Sequence, residues 1–424
     1  MRIFLATLYL CVVFLYTAFT KLSVGLPVRT LVLAFLSGVI VVCYFREARQ
    51  FFRKHIEITA AFAALGAIGT IVTYLQQGDL VSTLDGLTSN VVQPYLILFA
   101  TMMLIEIIGL RPVAWLSLSG AALSGLVALL QFGNIEIAWR LREILSDIQH
   151  EPAEIQNYVA SRSRALGLSL SPIVFSYQII SAYLTLNVMY RFGELRRSFY
   201  YGSFFLILIT LLANGTRSAL LAIFASETLM QLRKGRLPSL LYIGAIGAIA
   251  TAVYLYANVT GSRIAATEDA SALGRIALYD YGLRLAADHP FGLGWDFDPG
   301  GFAWLYWEHL SDFVNADGVF RLGLHDAYLN FFLVYGLAGT LVAAIVLIYD
   351  PRFVFISALY LFAYVLHALF HNNGLFIGDY FFWFSFAVIL QIFENNGIVF
   401  GAAAAAPPKP VFALQSRIKF LDRR

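Results

Sequence analysis

Charge is scarce in this chain. Asp, Glu, Lys and Arg make up 13% of its 424 residues, against about a quarter in a water-soluble domain, and 59% of the side chains are hydrophobic. A soluble globule is thereby excluded. Strict apolar–polar alternation over stretches of about ten residues is missing as well, which excludes a transmembrane β-barrel. Cysteine is nearly absent. Cys11 and Cys43 both lie inside apolar runs, so neither a stapling disulfide nor a zinc site is expected. The net charge of +3 is too small to point to nucleic acid as a partner.

What the chain has in abundance is apolar runs of roughly the length that crosses a bilayer. They lie near 3–20, 29–45, 57–75, 90–110, 112–133, 169–190, 199–214, 218–232, 238–257, 324–348, 353–370 and 376–393. The expected fold class is therefore all-α: a polytopic membrane protein with about twelve transmembrane helices over residues 1–400, and a flexible basic tail over 401–424. The first run has no small-residue cleavage site before Lys21, so it reads as a retained helix.

Basic residues set the expected orientation. With the N-terminus inside, one set lies close to span ends on the cytoplasmic side, as the positive-inside rule requires. It comprises Arg2, the Arg46–Lys54 cluster, Arg111, Arg191, Arg196, Arg197, the Arg233–Arg236 cluster, Arg352 and the basic residues of the tail. Both termini are then cytoplasmic. Outward-facing arginines are the unusual ones. They include Arg164, Arg217, Arg275 and Arg284, and they cluster beside two long outer loops, 134–168 and 258–323.

Three of the outer residues suggest chemistry. The stretch Ser271–Pro290 has helical periodicity. At 100° per residue from Arg275, the residues Asp280, Arg284 and Asp288 fall at about 140°, 180° and 220°, a narrow wet face on which Asp280 and Arg284 can pair. Arg275 is diametrically opposite, on the apolar face with Leu278 and Gly282. Its guanidinium either snorkels to lipid headgroups or faces a buried anion. Arg217 opens a helix after Asn214-Gly215-Thr216; there it opposes the helix dipole unless it shares an anion, such as a phosphate, with the free N–H groups, and the alternative is a headgroup cation. His325 sits at the entry of a long apolar helix, where the positive helix end favours the neutral imidazole, a proton acceptor.

Four separated pieces of sequence carry a resemblance. They are Arg164-Ala-Leu-Gly167 before Pro172; Asn214-Gly-Thr-Arg217-Ser-Ala-Leu-Leu; Gly274-Arg275 leading to His289-Pro-Phe-Gly292-Leu-Gly294; and His325-Asp-Ala-Tyr-Leu followed by Gly336-Leu-Ala-Gly339. In order and spacing, over about residues 160–345, the chain resembles the O-antigen ligase and O-polysaccharide polymerase superfamily of bacterial envelope glycan transferases. Asp326 departs from the family, which usually has Asn, Ser or Gln after the histidine.

The resemblance implies an undecaprenyl-diphosphate-linked glycan as donor and a sugar hydroxyl as acceptor, on lipid A core for a ligase or on a second lipid-linked repeat unit for a polymerase. It implies Arg217 and Arg275 as diphosphate ligands, His325 as base, and Arg164 as a further substrate contact. It places the protein in the bacterial inner membrane with a mostly helical periplasmic cap, and it implies catalysis without metal or cofactor. The spacing from His325-Asp326 to Gly336-x-x-Gly339 favours the ligase. A lipid-linked oligosaccharide flippase is the alternative from another class, and it would need basic residues reaching both leaflets.

Other candidates stand on the residues alone. Asp379 can orient a histidine or an acceptor hydroxyl, and Asp326 stands beside His325. Asp296-x-Asp298 can hold a divalent cation or bond backbone N–H groups in a turn. His367 and His371 have an i,i+4 spacing but no third metal ligand. Glu106 and Glu227 lie within expected spans and read as structural partners of Arg111 and Arg233.

Overall fold

The computed structural model describes residues 1–19, 28–149, 156, 159–162, 164–232, 270–320, 323–349 and 351–398. The expected ninth span at 238–257 and the tail lie outside them. Every regular element among the described residues is helical, and the sole β-type pairings are isolated bridges between Gly374 and Ile377 or Gly378.

Among the described residues five helices are long and apolar enough to cross a membrane: Ile56–Gln77, Leu80–Ile108, Leu110–Phe132, Pro172–Arg191 and Ala327–Tyr349. A sixth candidate is the pair Val28–Cys43 and Phe45–Lys54, bent by 105°. The expected count of twelve spans is not reached among the described residues. Arg2–Ala18 has 17 residues, Arg217–Leu232 has 16 and Phe381–Asn395 has 15, and at 1.5 Å per residue such helices fall short of a core of about 30 Å. Hydropathy registers their composition but not where they end.

The innermost layer consists of Pro172–Arg191, the second half of Leu80–Ile108 and Phe381–Asn395, the last of which packs against both of the others. Their side chains are almost wholly buried. Ile56–Gln77 and Ala327–Tyr349 pair along one flank and keep much of their apolar surface outward, as helices facing lipid do. The Arg217–Leu232 helix runs along Pro351–Ala368, a contact that brings Ser218 to the residues following that second helix.

Glu227 is held by residues of other helices. Glu227 accepts from Arg191 Nη2 at 3.0 Å and from the hydroxyls of Tyr183 and Tyr200 at 2.8 and 2.7 Å. Arg111 pairs with Glu194 at 3.1 Å and not with Glu106. Arg233 lies outside the described residues.

The expected helix in the outer loop is present as Ala270–Asp288. With the short turns that follow, it builds a cap with its own apolar core, including Leu278, Tyr281, Leu285, Tyr306, Leu310 and Val319. The segment after the cap helix locks the cap to the bundle. Ala327–Tyr349 breaks at Gly336, where φ is 62° and ψ −163°, and the freed backbone pairs with the incoming loop. Leu337 N donates to Pro290 O at 2.8 Å, and Gly294 N donates to Val334 O at 3.2 Å.

A Cβ on Gly336 would stand 2.3 Å from the carbonyl carbon of Phe291, and one on Gly292 would stand 2.8 Å from Gly336 N. Glycine at both positions is thus required by close backbone approach. Trp295 follows and plugs into the bundle, 1% exposed, in the notch left by Gly69 and Gly86. Its backbone N–H donates to Thr73 Oγ1 and its indole N–H to Tyr335 OH.

Candidate active site

Arg164 stands on a loop that is stitched in place on two sides. Gln131 Oε1 accepts from the backbone N–H groups of Leu166 and Gly167, both at 2.9 Å. Asn214 Nδ2 donates to Ala165 O at 2.8 Å. Arg164 then reaches across: its Nε donates to Asn214 O at 2.9 Å and its Nη2 to Thr216 Oγ1 at 2.7 Å. Gly215, at φ 70°, ends the Arg197–Asn214 helix in the left-handed conformation, and Arg217 opens the next helix as expected. Part of the Arg164 fork is therefore committed to the turn that presents Arg217.

The cap helix carries Arg275. Its wet face is as expected, with Arg284 Nε donating to Asp280 Oδ2 at 2.7 Å, while Leu278 and Gly282 on the opposite side are buried. Tyr279, one turn on, donates its hydroxyl to Leu369 O and ties the cap helix to the loop beyond Pro351–Ala368.

His325 lies in the bend before Ala327–Tyr349. Asp326 caps that helix, its Oδ1 accepting from the N–H groups of Tyr328 and Leu329 at 2.8 and 2.9 Å. Asp, Asn and Ser serve almost equally well in this position, so the departure from the family at Asp326 leaves the cap intact. Asn330 Nδ2 bonds both Leu324 O and Asn372 O, at 2.9 and 3.3 Å, which pins the His325 bend to the His371 loop. Burial and the Arg275 charge hold the His325 imidazole down at about 4, so the ring is neutral near pH 7. Its Nδ1 is buried and has no hydrogen-bond partner among the described residues.

His371 is where these elements meet. Its Nε2 lies 2.8 Å from Oγ of Ser218, the residue after Arg217. Burial pushes its pKa well below the ordinary imidazole value, and His367, Arg275, His325 and Arg164 add to that shift. The charges of Arg275 and Arg164 therefore act on the His371 ring, and Ser218 in the first turn of the Arg217 helix bonds it.

Asp379 is not drawn into this group by any hydrogen bond. Its Oδ2 accepts from Tyr364 OH at 2.7 Å and its Oδ1 from Phe381 N at 3.0 Å, and burial lifts its carboxyl to about 6. Asp298 bonds Gly300 N at 3.0 Å as the cap of a short turn. Among the described residues no three His, Cys, Asp or Glu side chains cluster as a metal site would need. Other arginines expected on the outer side are held elsewhere: Arg162 pairs with Glu136 at 2.8 Å and Arg142 Nη2 donates to Leu170 O at 3.3 Å. His367 and His371 were visible in the sequence only as an i,i+4 pair; what gives them interest is their contact with Ser176 and Ser218.

Among the described residues, several helices long and apolar enough to cross a bilayer mark a multi-pass membrane protein. Residues 202–344 match the O-antigen ligase family model, so over that segment the chain is similar to the O-antigen ligases. The matched segment holds Arg217, Arg275, His325 and Asp326; Arg164, His367, His371 and Asp379 lie outside it. No curated protein matches the chain.

Proposed function

We propose that the protein transfers a glycan from undecaprenyl diphosphate to a sugar hydroxyl on the periplasmic face of the bacterial inner membrane. The observation that carries this reading is the bond from Ser218, in the first turn of the helix that Arg217 opens, to His371, a ring on which the charges of Arg275 and Arg164 also act. Arg217 and Arg275 hold the diphosphate as bidentate cations. Arg164 acts on the substrate through the turn it braces, which refines its expected role as a direct contact.

In the reaction the acceptor oxygen attacks the anomeric carbon and its proton passes to neutral His325. The bond from that carbon to the diphosphate oxygen breaks, and the lipid diphosphate leaves with the electron pair. Fixed guanidinium groups stabilise the charge that develops on the leaving group, so the step needs no metal. No carboxylate is placed as a covalent nucleophile, which favours inversion in a single displacement.

The spacing from His325-Asp326 to Gly336-x-x-Gly339 favours the ligase, with lipid A core as acceptor, over the polymerase that extends a second lipid-linked unit. Deletion of the gene followed by a glycolipid gel separates them. A ligase predicts loss of all long-chain lipopolysaccharide, whereas survival of core capped by a single repeat would mean polymerase. Orientation is tested by reporters: those fused after Lys54 and Arg197 should read cytoplasmic, and those at Gly86 and Gly300 periplasmic. Collection of the unusual arginines at one end of the bundle argues against the flippase alternative.

A further inference from the structure

Two buried histidines have no part in the chemistry above. His367 and His371 are 0% and 3% exposed, and their rings lie 4.5 Å apart between centroids. Hydrogen-bond accounting fixes the first. Ser176 has one hydroxyl proton, which it gives to Ile173 O at 2.6 Å. Its 3.0 Å contact with His367 Nε2 must then be donated by the ring, so His367 is anchored to its neighbouring helix as the Nε2–H tautomer.

His371 is differently placed. Among the described residues Ser218 Oγ makes no other side-chain bond in competition with its 2.8 Å contact to His371 Nε2, so its proton is available to that nitrogen. The other ring nitrogen, Nδ1, is buried and has no hydrogen-bond partner among the described residues. A buried polar atom left without a partner in a native structure calls for one that arrives from outside. The surroundings say what kind. The ring lies in the field of Arg275 and Arg164, where an anion is attracted and where a further cation would be repelled. A neutral imidazole in that position supplies a directed N–H without adding charge.

We infer that His371 is a diphosphate ligand: Ser218 donates to Nε2, which leaves the proton on Nδ1, and Nδ1–H donates to a phosphate oxygen of the isoprenoid diphosphate held by the neighbouring arginines. The inference rests on the transfer reading given above and adds to it a neutral donor from the loop after Pro351–Ala368, outside the segment matched to the family. It also gives Ser218 a defined task, since the serine beside Arg217 sets the tautomer of the ring.

Two substitutions separate ligand from brace. The amide nitrogen of Asn overlies Nδ1 of His, and that of Gln overlies Nε2. Full-length protein in detergent is titrated with farnesyl diphosphate, a short isoprenoid diphosphate, and melted in parallel. His371→Asn should bind within a few-fold of wild type, and His371→Gln, whose amide N–H can donate to Ser218 Oγ in place of the bond it received, should bind about tenfold more weakly while melting at or above the temperature of the Asn variant. Wild-type affinity in the Gln variant overturns the inference, whether the Asn variant binds or not, and leaves the transfer reading standing. Failure of the wild-type protein to bind farnesyl diphosphate overturns the transfer reading and this inference with it.

Discussion

Arg164 Nη2 donates to Thr216 Oγ1 at 2.7 Å across 52 residues of sequence. With the Nε bond to Asn214 O, this contact makes one bracket of two loops and sets the angle at which Arg217 enters its helix. Arg164→Ala removes both bonds and leaves Thr216, 3% exposed, short of a donor. The expected cost is about 1–3 kcal/mol, seen as a lower melting temperature together with reduced transfer. Loss of donor affinity with an unchanged melt would instead make Arg164 a direct substrate contact.

Arg217→Lys keeps the charge and removes the fork. Bidentate phosphate binding predicts a large loss of transfer at normal membrane abundance; wild-type turnover in the lysine variant would reduce Arg217 to a surface cation.

Arg275 and Arg284 share the cap helix but not a face. Arg284 is 43% exposed and paired with Asp280, an arrangement worth about 0–1 kcal/mol. Arg284→Ala should therefore transfer almost as wild type, while Arg275→Ala should abolish transfer. Equal effects in the two variants would remove the distinction between the faces.

The pH profile follows from His325. A base must be neutral to accept a proton, and burial with the Arg275 charge holds this imidazole at about 4. The acid limb of kcat/KM should then fall near pH 4 and not near 6.5, with little loss between pH 8 and 5. The same shift affects stability. The unfolded chain binds more protons between about 6.5 and 4, so the contribution of this group is complete above pH 6.5 and is lost as pH falls through that window. An acid limb near 6.5 would mean that the free enzyme carries an exposed, ordinary histidine there.

Asp298 is occupied as a turn cap, and the arginines take the part that a divalent cation would play against a diphosphate. Transfer by purified protein should therefore survive EDTA. Loss on chelation, with recovery on adding Mg²⁺ or Mn²⁺, would bring Asp296 and Asp298 back as ligands.

Local patterns were legible in the sequence. The period of 271–290 gave the cap helix and its Asp280–Arg284 pair, because both depend only on residues within a few positions of one another. Asn214-Gly215-Thr216 marked a helix break for the same reason: glycine there takes a positive φ. What depends on packing was hidden. Ser218 and His371 are 153 residues apart and meet because two short helices run side by side, which no periodicity records. Arg191 reaches Glu227 from another helix, which counting along the Glu227 helix cannot reveal. Span counting failed where a helix is apolar throughout but ends early, as Phe381–Asn395 does.

The central claim is that arginines hold the diphosphate while His325 moves the proton, so binding and turnover must separate. The direct measurement is farnesyl diphosphate affinity and transfer rate in the same preparation of His325→Ala. Affinity should remain within a few-fold of wild type, while the rate should fall by about 10²–10⁴. Loss of affinity in step with the rate would contradict the account, making His325 a diphosphate ligand and leaving the base to be found elsewhere.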